Sequence, residues 1–174
     1  EHGEAFVEPT ALAGLALLAT DADRAARAAA AEAADWLARI QRSDGALGPS
    51  AQLQRPGWGT TYAILLWTAL DTHRAQRKKA VEWLLGLAGT TLPIEKRGVA
   101  GHDTSIRGWP WVENTHAWLE PTALAVLALR REGLTSHQRA GEGIRLISDR
   151  AITNSGWNYG NVATFGTPLH PQPA

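Results

Sequence analysis

Two glutamates, Glu8 and Glu120, stand in the same phrase. Phe6 to Leu17 reads FVEPTALAGLAL and Trp118 to Leu129 reads WLEPTALAVLAL, so Glu-Pro-Thr-Ala-Leu-Ala occurs twice, with Gly14 against Val126 as the next difference. A third carboxylate, Glu113, precedes the second copy among Trp109, Trp111, His116 and Trp118, while Trp58 and Tyr62 belong to a further apolar segment. A carboxylic acid donates a proton near neutral pH when burial or a like-charged neighbour keeps it protonated. Aromatic faces attract a cation through their quadrupole and also pack against hydrocarbon. Glu8, Glu120 and Glu113 are therefore the candidate catalytic groups, with Trp58, Tyr62, Trp109, Trp111, Trp118 and His116 as candidate substrate contacts. Each has a plainer account beside this one. A carboxylate at a helix start is favoured by the macrodipole, and Trp and Tyr cover hydrophobic cores.

Other chemistries find less support. His102 and His116 with Asp103 and Glu113 carry ligating groups, yet their spacing is not the His-x-x-x-His of a helical metal site, and no metal or other cofactor is expected. With no cysteine, thiolate metal sites, disulfides and a covalent Cys mechanism are excluded. Seventeen basic residues balance seventeen acidic ones, so no broad cationic surface draws the chain to nucleic acid. The longest apolar runs, such as Ala11 to Ala19, have about half of the roughly 20 residues a bilayer span needs. No span is expected, peripheral membrane contact stays open, and a cytoplasmic location is the expectation. The chain begins with Glu1 and not Met, so a removed leader or upstream segment is a further expectation.

The elements that must hold these residues are helices. Pro9 and Pro121 suit a first helical position, where no N–H is lost, and Glu8 and Glu120 then fall at the N-caps. Residues 8–18 and 120–130 are apolar nearly all round, as is Thr61 to Leu70, TYAILLWTAL. Such helices, expected at 8–18, 60–70 and 120–130, are surrounded by others and pack side by side. Each is followed by an amphipathic helix, with inward stripes at Ala29, Ala33, Trp36 and Ile40, at Ala80, Leu84 and Leu87, and at Ala140, Ile144 and Ile147. Thr135 and Gln138 fit a capping box for the last. Asp21-Ala22-Asp23-Arg24 reads as a helix cap. Period-2 strand patterns are absent. The fold class is all-α, with 1–163 as one repeat domain in units of about 5–50, 56–108 and 113–161, and 164–174 as a Pro-rich unstructured tail.

Unit ends carry the decisive pattern. WLARIQRSDGALG (Trp36 to Gly48), KAVEWLLGLAG (Lys79 to Gly89) and RAITNSGWNYGN (Arg150 to Asn161) resemble the QW repeats of squalene-hopene and oxidosqualene cyclases, whose α/α-toroid superfamily includes protein prenyltransferase β subunits. The motifs are degenerate: Gln41 is kept only in the first unit, where Leu47 replaces the Trp, and Gly156-Trp157 closes the third without a Gln. Gln41, Trp36, Trp83 and Trp157 read as staples between repeats, a Gln serving orphan carbonyls or the next helix's amides. The resemblance implies a partial (α/α)6 toroid of three helix pairs, a fragment or a half-ring, with Glu8 and Glu120 at the mouth of a central cavity.

It also implies an isoprenoid hydrocarbon as ligand, bound or cyclised by an isomerase-like reaction in which a carboxylic acid protonates an alkene. The superfamily's Asp-x-Asp-Asp motif is missing, and with no Cys to join an Asp and a His around zinc, prenyl transfer of that type is not expected. Two alternatives remain. One is a non-catalytic helical-repeat interaction module, whose apolar open ends drive self-association or pairing within a larger chain. The other is a glycan-active α/α toroid, for which carboxyl groups about 5 Å or about 6.5–9.5 Å apart are the signature. Long Trp-rich loops such as 89–118 tend to be functional.

Overall fold

In the computed structural model, residues 4–19, 23–93 and 101–172 are described. They form six helices in three consecutive pairs: α1 (Val7–Ala19) with α2 (Arg24–Ile40), α3 (Gly59–Leu70) with α4 (Arg74–Gly86), and α5 (Leu119–Arg131) with α6 (Gln138–Asp149). The chain divides into two compact units, Glu1–Gly86 and Leu87–Ala174. In the first, α1 packs against both α2 and α3, and α3 against α4; in the second, α5 packs against α6.

The apolar helices begin two residues earlier than the prolines suggest. Val7 and Leu119 are the first helical residues, so Glu8 and Glu120 are second and the prolines third. The first intrahelical donors are then the threonines, Thr10 N–H to the Phe6 carbonyl (3.2 Å) and Thr122 N–H to that of Trp118 (3.3 Å). A proline is tolerated anywhere ahead of that first donor, because no helical partner exists for the N–H it lacks. The first residue of each helix is anchored from outside: Val7 donates to Pro49 O (2.8 Å), and Leu119 donates to Tyr159 O (3.1 Å).

A threonine hydroxyl positions the apolar helix. In the first unit Thr60 Oγ1 accepts from Leu47 N–H (2.8 Å) and donates to Gly57 O (2.6 Å), and Thr60 is fully buried. In the second, Thr122 Oγ1 accepts from Trp109 N–H (3.0 Å) and donates to Trp109 O (3.4 Å), again fully buried. Both bonds span thirteen residues. They set the repeat register one residue earlier than Thr61: Thr60 corresponds to Thr122, and Trp58-Gly59 stands where the other copies have Glu-Pro. Gly59 is needed there, since a Cβ would come within 2.8 Å of both Gly48 O and Val7 Cγ1. Gly14 similarly makes room for Leu66, whose Cδ1 would lie 2.9 Å from an added Cβ.

Gln41 is the C-cap of α2 and staples two repeats, as its position suggests. Its amide donates to Gly45 O (2.8 Å) and to Gln76 O in α4 (2.9 Å), so it serves carbonyls rather than amides. Trp67, buried in α3, donates from Nε1 to Ala34 O on α2 (3.0 Å). Asp23 is the N-cap of α2 and accepts from Ala26 N–H (2.8 Å); Asp21 and Ala22 lie outside the described residues.

Several details differ from the sequence reading. The buried stripe of α2 is Ala30, Ala34 and Leu37, one residue round from Ala29, Ala33, Trp36 and Ile40, and in α6 Ile144 is exposed while Arg139, Glu142, Gly143 and Leu146 join Ala140 inside. Ala80 and Leu84 do face inward. The N-cap of α6 is His137, whose Nδ1 accepts from Arg139 N–H (3.1 Å), so Thr135 is not in a capping box. Of the three apolar helices, α3 alone is buried along most of its length; α1 leaves Pro9, Leu12, Ala13, Ala16 and Leu17 exposed along one face. Beyond Asn161, Ala163–Thr164 pairs with Thr167–Pro168, and Gln172 N–H reaches Trp157 O (3.0 Å), so the described part of the expected tail is tied back.

Replacing Thr60 or Thr122 by valine leaves a buried turn amide without an acceptor, at a cost of about 1–3 kcal/mol in unfolding free energy. Thr10→Val, at a half-exposed position, costs no more than about 0.5 kcal/mol. Urea unfolding followed by tryptophan fluorescence compares the three.

Candidate functional site

In the first unit the structure brings together Glu8, Tyr62 and Trp58. Tyr62, 3% exposed, donates its hydroxyl hydrogen to Glu8 Oε1 (3.2 Å) and meets the Trp58 ring edge-on at 6.0 Å. Glu8 is half-buried in the first turn of α1, where free N–H groups favour negative charge. Tyr62 sits one turn into α3, so this contact pins the start of one apolar helix to the next.

In the second unit Glu120 lies exposed on a groove of about 350 Å³, lined by Leu119, Ala123, Trp157, Asn158, Tyr159 and Gln172. Trp118, two residues before it, faces a different cavity. Its ring stacks on His116 at 4.9 Å, and both line a pocket of about 190 Å³ that also holds His102, Ile106 and Arg150. Trp111 and Glu113 are half-buried in the loop before α5 and line neither. Trp109 is 1% exposed, and the cation over its face, at 4.0 Å, is the chain's own Arg139.

Arg139, Glu142 and Arg150 are the buried charges that sequence reasoning missed. Arg139 pairs with Glu142 Oε2 (2.5 Å) and donates to Leu87 O (2.7 Å) and Gly108 O (3.4 Å). Leu87 is the first residue after α4, as Gln41 is the first after α2. Here an arginine from α6 takes the glutamine's part, donating to the carbonyl of Leu87, the residue at the glutamine's position. The Arg139–Glu142 spacing of one helical turn is visible in the sequence, but the stronger aliphatic pattern of Ala140, Ile144 and Ile147 masks it. Burial lowers the Arg139 pKa, opposed by its bond to Glu142. Burial pushes the Glu142 carboxyl up, but hydrogen bonds from Arg139 and Gln138 and the charges of Arg139 and Arg107 outweigh it and hold the carboxyl below its ordinary value.

Arg150 is lowered by burial and supported by Asp149 and Asp103; it donates to Gly160 O (2.6 Å) and to Asp149 (3.4 Å). Asp149 in turn accepts from Asp103 N–H (3.0 Å), and the Asp103 carboxylate accepts from Ser105 N–H (2.9 Å) and Oγ (2.6 Å). Asp103 thus shapes its own loop. Among the described residues no group of three or more His, Asp or Glu is placed to hold a metal ion, and no helix is long and apolar enough to cross a membrane.

No protein-family model matches the chain, and no curated protein matches it in sequence.

Because the folded Glu142 carboxyl lies below 4.5, its contribution is complete above that value and is lost as acid protonates the folded group. Glu142→Gln keeps the shape and removes the charge. It should lower the urea midpoint at pH 7 by the equivalent of about 1–3 kcal/mol, and the gap between variant and wild type should narrow as the pH falls through the lowered pKa of the folded carboxyl.

Proposed function

We propose that the helix pairs form part of an α/α-toroid-type array of the kind found in terpenoid cyclases and prenyltransferases, and that the chain works as a non-catalytic interaction module whose exposed apolar helix faces receive other helices. The observation that carries this is the use made of the repeated phrase. In both copies the Glu-Pro-Thr segment starts a helix whose first N–H is seated on a turn carbonyl, and the second copy's threonine, Thr122, locks the turn before it. These are structural duties. An alkene-protonating acid needs a dry enclosure around the carboxyl, whereas Glu120 is exposed and Glu8 accepts a hydrogen bond from Tyr62.

A second reading is supported by the groove beside Glu120. Trp157, Tyr159, Leu119 and Ala123 offer an apolar bed with one carboxylate at its edge, which suits a polyprenyl or triterpenoid hydrocarbon. Glu8, Glu113 and Glu120 are the acids that a cyclisation in this chain would draw on.

The two readings part on turnover. Incubation with squalene, followed by gas chromatography and mass spectrometry of the extract, should return the substrate unchanged for the wild type and for Glu8→Gln and Glu120→Gln alike. A cyclised product that disappears in either variant would overturn the module reading in favour of the cyclase.

A further inference from the structure

The module reading leaves the partner unnamed; the repeat geometry supplies one. In the first unit the turn at Leu47 is used on both sides. Its Pro49 carbonyl takes the first N–H of α1, and its Leu47 amide goes to Thr60 of α3, so the turn seats α3 beside α1. The seat itself is marked by the atoms closest to Gly59: Val7 Cγ1, Gly48 O and Leu47 O.

The turn at Trp157 is built the same way, but no described helix of its own unit is seated on its second side, where Gln172 N–H of the tail donates to Trp157 O (3.0 Å) at the groove's rim. Tyr159, two residues past Trp157 as Pro49 is two past Leu47, takes the first N–H of α5. The residues corresponding to Val7, Leu47 and Gly48 are then Leu119, Trp157 and Asn158. All three line the groove beside Glu120. Leu47 is fully buried, and Trp109, at the same turn position, is 1% exposed; Trp157 is 43% exposed. The groove therefore has the construction of a seat for an apolar helix.

The helix that fits has to present the face that α3 presents to α1. On α3 Gly59, Tyr62 and Leu66 meet Val7, Glu8 and Gly14, and Ala63 and Trp67 share that side of the helix; all five are buried. The counterpart of that side on α1 is Pro9, Leu12, Ala13, Ala16 and Leu17, the face that stands exposed. Sizes also match across the substitution. Where the large Leu66 enters the space left by Gly14, the corresponding residues are the small Ala16 and the larger Val126, so bulk and gap exchange sides.

We propose that the groove on α5 receives the exposed face of α1 from a second copy of this chain, in a head-to-tail contact. Such a heterologous contact joins two different surfaces, so each copy carries one of each. The inference rests on the module reading.

Sedimentation of the full chain at about 100 µM, well above the Kd of a weak specific contact, tests it with two substitutions at exposed helix positions, Ala16→Arg on α1 and Ala123→Arg on α5. The wild type should associate, and each variant, with unchanged circular dichroism, should lose at least about tenfold in affinity. An equimolar mixture of the two variants, one with an intact groove and one with an intact α1 face, should recover a one-to-one pair and nothing larger. A monomeric wild type overturns the pairing, as does full association of Ala123→Arg, which would mean α1 pairs with α1, and as does a mixture that stays monomeric. A monomeric wild type that leaves squalene unchanged overturns this inference alone, whereas a cyclised product overturns the module reading beneath it.

Discussion

A backbone amide in a turn cannot be buried without an acceptor, and in this chain the acceptor is a threonine hydroxyl thirteen residues further on. Thr60 serves Leu47 and Thr122 serves Trp109. Because the hydroxyl accepts from the turn and donates to a second carbonyl, that of Gly57 just before α3 for Thr60 and that of Trp109 in the turn itself for Thr122, it ties the start of the apolar helix to the turn before it. The rest of the helix pair depends on that. The turn residue, Leu or Trp, is buried, and in the first unit glycines leave room where α1 and α3 meet, Gly59 for the Gly48 carbonyl and Val7, and Gly14 for the Leu66 side chain. Repetition of the phrase is thus repetition of a joint.

The second unit shows the same joint built without a glutamine. Gln41 bridges two carbonyls in the first unit; in the second, Arg139 supplies the donors from the opposite element, at the cost of burying a charge. That cost is offset by Glu142 and by the Trp109 ring beneath the guanidinium. The arrangement also removes Trp109 from the set of aromatic residues free to meet a ligand. Of the candidate contacts, Tyr62 is joined to Glu8 and to Trp58, and Trp118 and His116 to each other. The exposed aromatic surface that borders a groove is instead at Trp157 and Tyr159.

The helices and their pairing are legible because Glu-Pro-Thr and apolar runs are strong local signals. Their rotation is not. In RAARAAAAEAADWLARI alanines occupy nearly every angle round the helix, so periodicity cannot separate Ala29 and Ala33 from Ala30 and Ala34. In α6 the inward face carries Gly143, close to Trp109 and Thr122, where small size and not hydrophobicity is what packing demands; Ile144 is left outside. The site is less legible than the fold. Recurrence singles out Glu8 and Glu120, yet recurrence marks a repeated joint as readily as a repeated chemistry. In the sequence Trp157 reads as a staple, and only the geometry of the Tyr159 carbonyl relates it to Leu47.

The most direct measurement is amide hydrogen exchange resolved to single residues. Leu47 and Trp109 lie outside every helix, so on secondary structure alone their amides should exchange as turn amides do. If the threonine hydroxyls hold them, both should exchange as slowly as the core amides of their own units, and Thr60→Val and Thr122→Val should each release only the amide that its hydroxyl accepts. Rapid exchange at Leu47 and Trp109 in the wild type would contradict the account.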